Sequence, residues 1–274
     1  MSEYHLDISN QFGLLFDASE CIGCGNCYEA CKKENDLPAT NPSRLGLAGA
    51  DKDFLKDHLS DKTYTVVEEY GDIYARKMCM HCLEPACASV CPVGAFEKTE
   101  LGPVLYNADK CIGCRYCMQA CPHNVPRYEW GSTSPRVRKC ILCYDKLKKD
   151  GITACAEACP VEATISGKLP DLITEAKRRI KENPDKYYPH IYGLEEAGGS
   201  NVIIISPVPF EQLGYSSKVP KQSMPTFTMQ AMEKIPTVVS VGGIFLTGMY
   251  WLTKRKNQLA KEEHQAKEGK NNVE

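Results

Sequence analysis

The sequence CIGCRYCMQACP at residues 111–122 places four cysteines close together and ends on a proline. Cys111, Cys114 and Cys117 follow one another with the spacing C-x2-C-x2-C. Cys121 lies one residue further along than this spacing requires, and it directly precedes the proline. Proline fixes its own backbone angle and favours a change of chain direction. The first three cysteines can therefore lie in one loop, while the fourth lies where the chain turns away from that loop.

The run is one of several related cysteine quartets. CIGCGNCYEAC at residues 21–31 matches it at seven of eleven positions, and CPVGA at residue 91 is echoed by CPVEA at residue 159. Repeats of this kind indicate a duplicated unit with two sites in each copy. The 16 cysteines of the 274-residue chain form four quartets with none left over: Cys21, Cys24, Cys27 and Cys31; Cys79, Cys82, Cys87 and Cys91; Cys111, Cys114, Cys117 and Cys121; and Cys140, Cys143, Cys155 and Cys159.

Disulfides and zinc are two explanations for so many cysteines. Cysteines two residues apart are poorly placed for a disulfide framework, and the first twenty residues contain no lysine or arginine, so no secretory or twin-arginine signal is expected. Structural zinc sites use two C-x2-C pairs separated by a dozen or more residues. The fourth quartet fits zinc, with eleven residues between Cys143 and Cys155, but the first and third quartets do not.

An iron–sulfur centre is the third explanation. Three cysteines at C-x2-C spacing followed by x3-C-P are typical of [4Fe–4S] proteins, in which the fourth cysteine of a two-cluster ferredoxin ligates the other cluster. Gly23, Gly25 and Gly113 allow the backbone of such loops to approach the cluster closely. The quartets therefore predict four [4Fe–4S] clusters with crossed ligation, and a zinc-organised, membrane-anchored interaction module is the alternative.

The pattern predicts electron transfer without a catalytic site. Radical enzymes leave one iron open with a C-x3-C-x2-C triple, which this sequence lacks, and it contains no glycine-rich nucleotide motif. The net charge of −2 gives no support for binding nucleic acid. A basic cluster between residues 136 and 149 is expected to form a solvated face, to compensate anionic clusters or to dock an acidic partner; it consists of Arg136, Arg138, Lys139, Lys146, Lys148 and Lys149.

Several elements are expected outside the quartets. Residues 32–78 form an insertion that contains the strand-like run TYTVVEEY, and NVIIIS at residues 201–206 predicts a buried strand. A proline-punctuated, extended linker follows it. Residues 171–184 predict a surface helix with an N-cap at Asp171, an end at Pro184 and an apolar stripe of Leu172, Ile173, Ala176 and Ile180.

The last part of the chain predicts one membrane span. IPTVVSVGGIFLTGMYWL at residues 235–252 has eighteen residues without a charge, and as a helix it spans about 27 Å, which is enough for a bilayer core. A buried core helix is the alternative. The tail at residues 254–274 is polar and expected to be disordered. Its basic residues, against the lone Lys234 on the other side, favour a cytoplasmic tail and a cluster domain on the periplasmic or outer face.

With these motifs the chain resembles the iron–sulfur β subunits of membrane-bound respiratory oxidoreductases. The forms CMHCLEPACASVCPVGA and CIGCRYCMQACPHNVPRY carry this resemblance, which is strongest to the four-cluster subunits of membrane-bound [NiFe] hydrogenases and formate dehydrogenase. The segment at residues 186–214 is similar to the post-cluster segment of the hydrogenase type. The resemblance implies an α+β fold, a duplicated dicluster-ferredoxin-like fold with insertions, plus one C-terminal transmembrane helix. The expected divisions are residues 1–170 for the cluster domain, 171–234 for the helix, strand and linker, 235–253 for the span and 254–274 for the tail.

The resemblance also implies partners and a ligand pattern. The partners are a catalytic redox subunit (hydrogenase, molybdenum or tungsten enzyme, or multihaem cytochrome), an integral membrane subunit that reacts with quinone, and membrane lipid. His81 and His123 are expected to form hydrogen bonds or lie at the surface, and Tyr28 and Tyr116 to shield clusters from water. The implied ligand sets are Cys21, Cys24, Cys27 and Cys159 for cluster 1; Cys31, Cys140, Cys143 and Cys155 for cluster 2; Cys79, Cys82, Cys87 and Cys121 for cluster 3; and Cys91, Cys111, Cys114 and Cys117 for cluster 4.

Overall fold

The computed structural model describes residues 7–38 and 58–271, so part of the predicted insertion lies outside the described residues. The chain divides into two compact units, Met1–Pro225 and Thr226–Glu274. The strands are β1 (Phe12–Asp17), β2 (Thr65–Tyr70), β3 (Ile73–Met78), β4 (Phe96–Lys98), β5 (Val104–Tyr106), β6 (Arg127–Tyr128), β7 (Val137–Arg138), β8 (Thr164–Lys168) and β9 (Val202–Ile205). The helices are α1 (Asn26–Glu34), α2 (Ala86–Ser89), α3 (Tyr116–Ala120), α4 (Tyr144–Asp150), α5 (Ala154–Glu157), α6 (Leu169–Glu182) and α7 (Met224–Asn271).

A three-stranded sheet in the order β8-β1-β9 lies at the centre of the first unit. β1 pairs antiparallel with β8 and parallel with β9. Because side chains alternate along a strand, Leu14 and Phe16 pack into the main core while Leu15 points to a second core on the opposite face. All four residues of β9 are buried because each face of this strand packs against one of the two cores. This confirms the strand predicted from NVIIIS.

Helix α6 covers the second face of this sheet. Leu172 and Ala176 are buried there, and Ile173 and Ile180 pack at the edge, so the predicted apolar stripe is confirmed. The predicted N-cap is wrong: α6 begins at Leu169, so Asp171 lies within its first turn. β8 leads directly into the helix, and a proline in the first turn suits this early start because its missing N–H has no helical partner there.

Four short helices follow the cysteine loops, and they pack in two pairs. α1, from the first quartet, contacts α5, from the fourth, and α2, from the second, contacts α3, from the third. β4 and β5 form a small two-stranded sheet whose β4 contacts α2, and β6 and β7 form another. The structure therefore brings the first quartet to the fourth and the second to the third.

The insertion contributes a hairpin to the core. β2 and β3 pair antiparallel along their whole length, with Thr65 opposite Met78 and Tyr70 opposite Ile73. Val66, Ala75 and Met78 are buried. The strand-like run is therefore confirmed as a strand, and its partner β3 supplies a buried arginine, Arg76, to the molecule's interior.

Two expectations for the end of the chain are corrected. The linker is not wholly extended, since residues Phe210–Leu213 form a 3-10 helix whose Phe210 and Leu213 pack in the main core. The tail is helical rather than disordered, because α7 begins at Met224 and continues to Asn271. The tail sequence AKEEHQAKEGK is rich in strong helix formers, which outweigh its polarity.

Among the described residues, α7 is the one helix long and apolar enough to cross a membrane. Its apolar side chains, from Ile235 to Leu252, are exposed within this unit. The Thr247 hydroxyl donates a hydrogen bond to the Gly243 carbonyl at 2.8 Å, so this polar side chain is satisfied inside the helix.

Candidate metal centres

Left-handed backbone turns shape the tight cysteine loops. Gly23 and Gly25 have φ angles of 65° and 78°, and Gly113 has a φ of 72°. A side chain at Gly23 would also meet the Tyr74 ring at 2.4 Å. Arg115 occupies the position of Gly25 in the repeated loop with a φ of 63°, so the loop shape is kept there at some conformational cost.

One buried cavity joins the first quartet to the fourth. The Cys31 cavity is lined by Cys31 from α1 and by Cys140, Cys143 and Cys155. All four cysteines are buried. Asn35, Thr65, Arg76 and Thr153 are polar residues of its lining, and the Thr153 hydroxyl lies 3.3 Å from the Cys155 sulfur.

A second buried cavity joins the second quartet to the third. The Cys121 cavity is lined by Cys79, Cys82, Cys87 and Cys121. Of the described cysteines, those at positions 111, 114 and 117 do not line it. Cys121 therefore faces the thiols of another quartet rather than those of its own run.

The remaining thiols lie in two further groups. Cys21 is electrostatically coupled to Cys159 and Cys24. Cys91 and Cys111 pack against the apolar cluster that contains Cys117. These contacts agree with the packing of the first quartet against the fourth and of the second against the third.

Backbone N–H groups donate to several of these sulfurs. The N–H of Ala95 lies 3.2 Å from the Cys91 sulfur, and that of Leu142 lies 3.3 Å from the Cys140 sulfur. In the quoted run, the Gly113 N–H lies 3.4 Å from the Cys111 sulfur. Such donors stabilise thiolates, and hydrogen bonds to sulfur tune the potentials of iron–sulfur clusters.

The thiols are poor anions without a cation. Desolvation, together with a smaller effect of neighbouring thiols, raises the pKa of Cys27 and of Cys87 to about 12. Desolvation likewise raises the pKa of Cys143 to about 11. Because iron binds the thiolate, its positive charge would stabilise the ionised form that burial disfavours.

The hydrogen bonds of His81 indicate whether a cluster would fit the Cys121 cavity. The side chain is fully buried, and its Nδ1 accepts a hydrogen bond from the Val104 N–H at 2.9 Å. The imidazole proton therefore sits on Nε2, which has no hydrogen-bond partner among the described residues. A buried donor beside four thiols fits an acceptor such as cluster sulfide. The His81 pKa is well below its usual value because of burial, so the ring stays neutral.

Cationic side chains lie near the thiols, and two of them were not anticipated from the sequence. Lys139, from the basic cluster, is buried and lies close enough to Cys87 to affect its thiol. Arg76 in β3 is buried near Cys27, Cys31 and Cys155, and Lys98 in β4 is half-buried near Cys79, Cys82 and Cys87. Others of the basic cluster form ion pairs, among them Arg138 with Glu129 and Lys146 with Glu157.

The expectations for the loop tyrosines and for zinc have mixed outcomes. Tyr28 is buried, as a residue that shields a cluster should be, but Tyr116 is 53% exposed.

Within the described residues, no three His, Cys, Asp or Glu side chains converge closely enough for a single metal ion. The thiols line cavities instead, which disfavours the zinc alternative.

Comparisons with known proteins agree with this chemistry. A 4Fe-4S dicluster domain model matches residues 72–169, and a 4Fe-4S binding domain model matches residues 14–34. A protein of Nitratidesulfovibrio vulgaris is 40% identical over 261 residues, which cover 93% of this chain and 70% of the relative.

Two named relatives are similar over most of the chain. Hydrogenase-2 operon protein HybA of Escherichia coli is 37% identical over 245 residues, covering 75% of this chain and 73% of HybA. The iron–sulfur subunit of nitrate-inducible formate dehydrogenase of Escherichia coli is 32% identical over 210 residues, covering 73% and 69%. This chain belongs to the family of ferredoxin-type [4Fe–4S] proteins that contains these relatives.

Proposed function

We propose that this chain is an electron-transfer subunit that carries electrons through four [4Fe–4S] clusters. The observation that carries the proposal is the pair of buried cavities, each lined by four cysteines drawn from two quartets. Every thiol then has an iron to bind, so no iron remains open for a substrate. The chain has no catalytic site of its own in this account.

The proposed ligand sets follow the nested grouping. The two cavities support the sets for clusters 2 and 3. The coupling of Cys21 to Cys159 supports cluster 1, and the shared packing of Cys91, Cys111 and Cys117 supports cluster 4. Each quartet contributes to two clusters, which keeps neighbouring clusters close enough for electrons to pass.

The partners are proposed from the relatives. One relative is named for a hydrogenase operon and another is a subunit of formate dehydrogenase. We therefore place the chain between a catalytic redox subunit, of the hydrogenase, molybdenum or tungsten, or multihaem cytochrome type, and a membrane subunit that reacts with quinone or haem. Such a complex would serve anaerobic respiration.

The membrane anchor has its own test. Removal of residues 226–274 is expected to release the chain from washed membranes into the soluble fraction, since the exposed apolar residues of α7 lie in that segment. Removal of residues 258–274 is the matched control and should leave the chain in the membrane. A chain that stays membrane-bound without α7, in the absence of its partners, would contradict the anchor.

The proposed sidedness follows from charge. Lys254, Arg255, Lys256 and Lys261 follow the apolar part of α7, which favours a cytoplasmic tail and clusters on the periplasmic face. Protease added to spheroplasts should then digest the cluster domain and spare the tail; the reverse pattern would contradict this orientation.

Electron transfer is tested in the complex purified through a tag on this chain. The electron donor of the catalytic partner should reduce the chain's clusters, and a quinone analogue should reoxidise them, as followed by EPR. Cys82→Ser should slow turnover by at least about tenfold, because it breaks the chain of clusters. Normal turnover in that variant, with cluster 3 absent, would exclude the proposed route.

A further inference from the structure

Arg76 is a buried cation held in one orientation. It lies in β3 of the insertion hairpin and is 2% exposed. Its Nε donates to the Thr65 hydroxyl at 2.9 Å, and its Nη1 donates to the Thr164 hydroxyl at 3.2 Å. Both acceptors are neutral, so neither hydroxyl compensates the guanidinium charge.

The groups that do compensate this charge are thiols of two different proposed clusters. Arg76 lines the Cys31 cavity together with Cys155 and Cys31, which belong to proposed cluster 2. Cys27, which belongs to proposed cluster 1, packs against the apolar cluster of Tyr28 and Val67. Val67 lies directly opposite Arg76 in the β2–β3 hairpin, so Arg76 is on the hairpin face that Cys27 contacts.

We propose that Arg76 is a positioning residue for electron transfer, a single fixed charge shared by clusters 1 and 2 that raises the reduction potential of both. The inference rests on the proposed function and on its ligand sets. Without a negative group beside it, a buried guanidinium would be costly, so the cluster-bound thiolates beside Arg76 would give it a counter-charge.

The physical effect follows from charge balance. Each cluster gains one electron on reduction, and no bond is made or broken, so one unit of negative charge appears beside Arg76. A buried positive charge favours this reduced form because the surrounding medium screens it weakly. Because the same charge is close to ligands of both proposed clusters, it would also offset part of the repulsion between them when both are reduced.

Potentiometric EPR of the full chain, reduced stepwise with dithionite, tests this proposal. Arg76→Gln should lower the reduced-to-oxidised ratio of clusters 1 and 2 at a set potential by about tenfold each, which is 59 mV for one electron. Arg76→Lys, which keeps a charge but loses the paired hydrogen bonds, should fall between Arg76→Gln and the wild type. Clusters 3 and 4 should titrate as in the wild type.

Lys98→Gln is the matched control. Lys98 donates to the Cys82 carbonyl at 3.0 Å and is electrostatically coupled to Cys79, Cys82 and Cys87, so its removal should shift cluster 3 and leave clusters 1 and 2 unchanged. If Arg76→Gln binds less iron than the wild type, Thr164→Val serves instead. It removes the Nη1 acceptor and should lower the same two potentials by a smaller amount.

The outcomes separate the inference from the proposed function. A wild-type chain without four cluster signals would refute the function itself. A fully loaded Arg76→Gln chain with unshifted potentials, or one in which a single cluster shifts, would overturn the sharing of Arg76. If Thr164→Val is the variant in use, unchanged potentials would overturn it equally.

Discussion

Cys121→Ser is expected to remove or convert the cluster at Cys79, Cys82 and Cys87 and to leave intact the cluster held by Cys111, Cys114 and Cys117. The reason is the lining of the Cys121 cavity, which contains the first three cysteines and Cys121. Because each cluster needs a fourth thiolate, about four irons per chain should be lost, or one iron if a three-iron cluster remains. EPR of the dithionite-reduced variant measures which signal disappears.

Cys91→Ser is the reciprocal control. Cys91 packs with Cys111 and Cys117, so this variant should lose the cluster of the quoted run and keep the one at the Cys121 cavity. Loss of the Cys111, Cys114 and Cys117 signal in Cys121→Ser, with the other retained, would contradict crossed ligation. It would mean that each quartet holds its own cluster.

Removal of iron is expected to unfold the first unit of the chain. Cys31, Cys79, Cys140 and Cys155 belong to the main core, so the clusters replace much of the apolar packing that a larger core would supply. Without iron, desolvation raises the pKa of nearby thiols such as Cys27, to about 12, so these thiols are neutral and no longer balance the charge of Arg76. Metal binding to structural sites is worth about 10–16 kcal/mol in small zinc domains, which matches or exceeds the total stability of about 5–15 kcal/mol of a typical domain.

The measurement is thermal unfolding before and after anaerobic treatment with an iron chelator and a mild oxidant. The treated chain should lose its near-ultraviolet circular dichroism and its cooperative transition, while helix α7 keeps part of the far-ultraviolet signal. Reconstitution with iron and sulfide should restore both, and zinc alone should not. An iron-free chain that melts cooperatively at the original Tm would show that the thiols do not organise the fold.

The cysteine spacing alone predicts the candidate cluster sites, because ligation of a cluster imposes a strict sequence pattern. The turn after each CP motif was not anticipated, although it recurs: Gly94, Asn124 and Glu162, each three residues after a cysteine, all have positive φ angles. Only Gly94 is a glycine, so the residue types at these three positions do not reveal the turn that they share.

Other features lie beyond sequence reasoning for physical reasons. Arg76 and Lys98 occupy strands of the insertion and of a small hairpin, and nothing in their local sequence distinguishes the buried Arg76 or the half-buried Lys98 from an exposed cation. The pairing of α1 with α5 depends on packing between residues far apart in the chain. The early start of α6 depends on β8 running straight into it, which an N-cap rule applied to Asp171 does not capture.

The most direct test of the account is the iron and acid-labile sulfide content of the anaerobically purified full chain, with Mössbauer spectroscopy to identify the cluster type. The sixteen cysteines predict about sixteen irons and an equal number of sulfides per chain, all in [4Fe–4S] form. Four or fewer irons per chain, or bound zinc without sulfide, would contradict it.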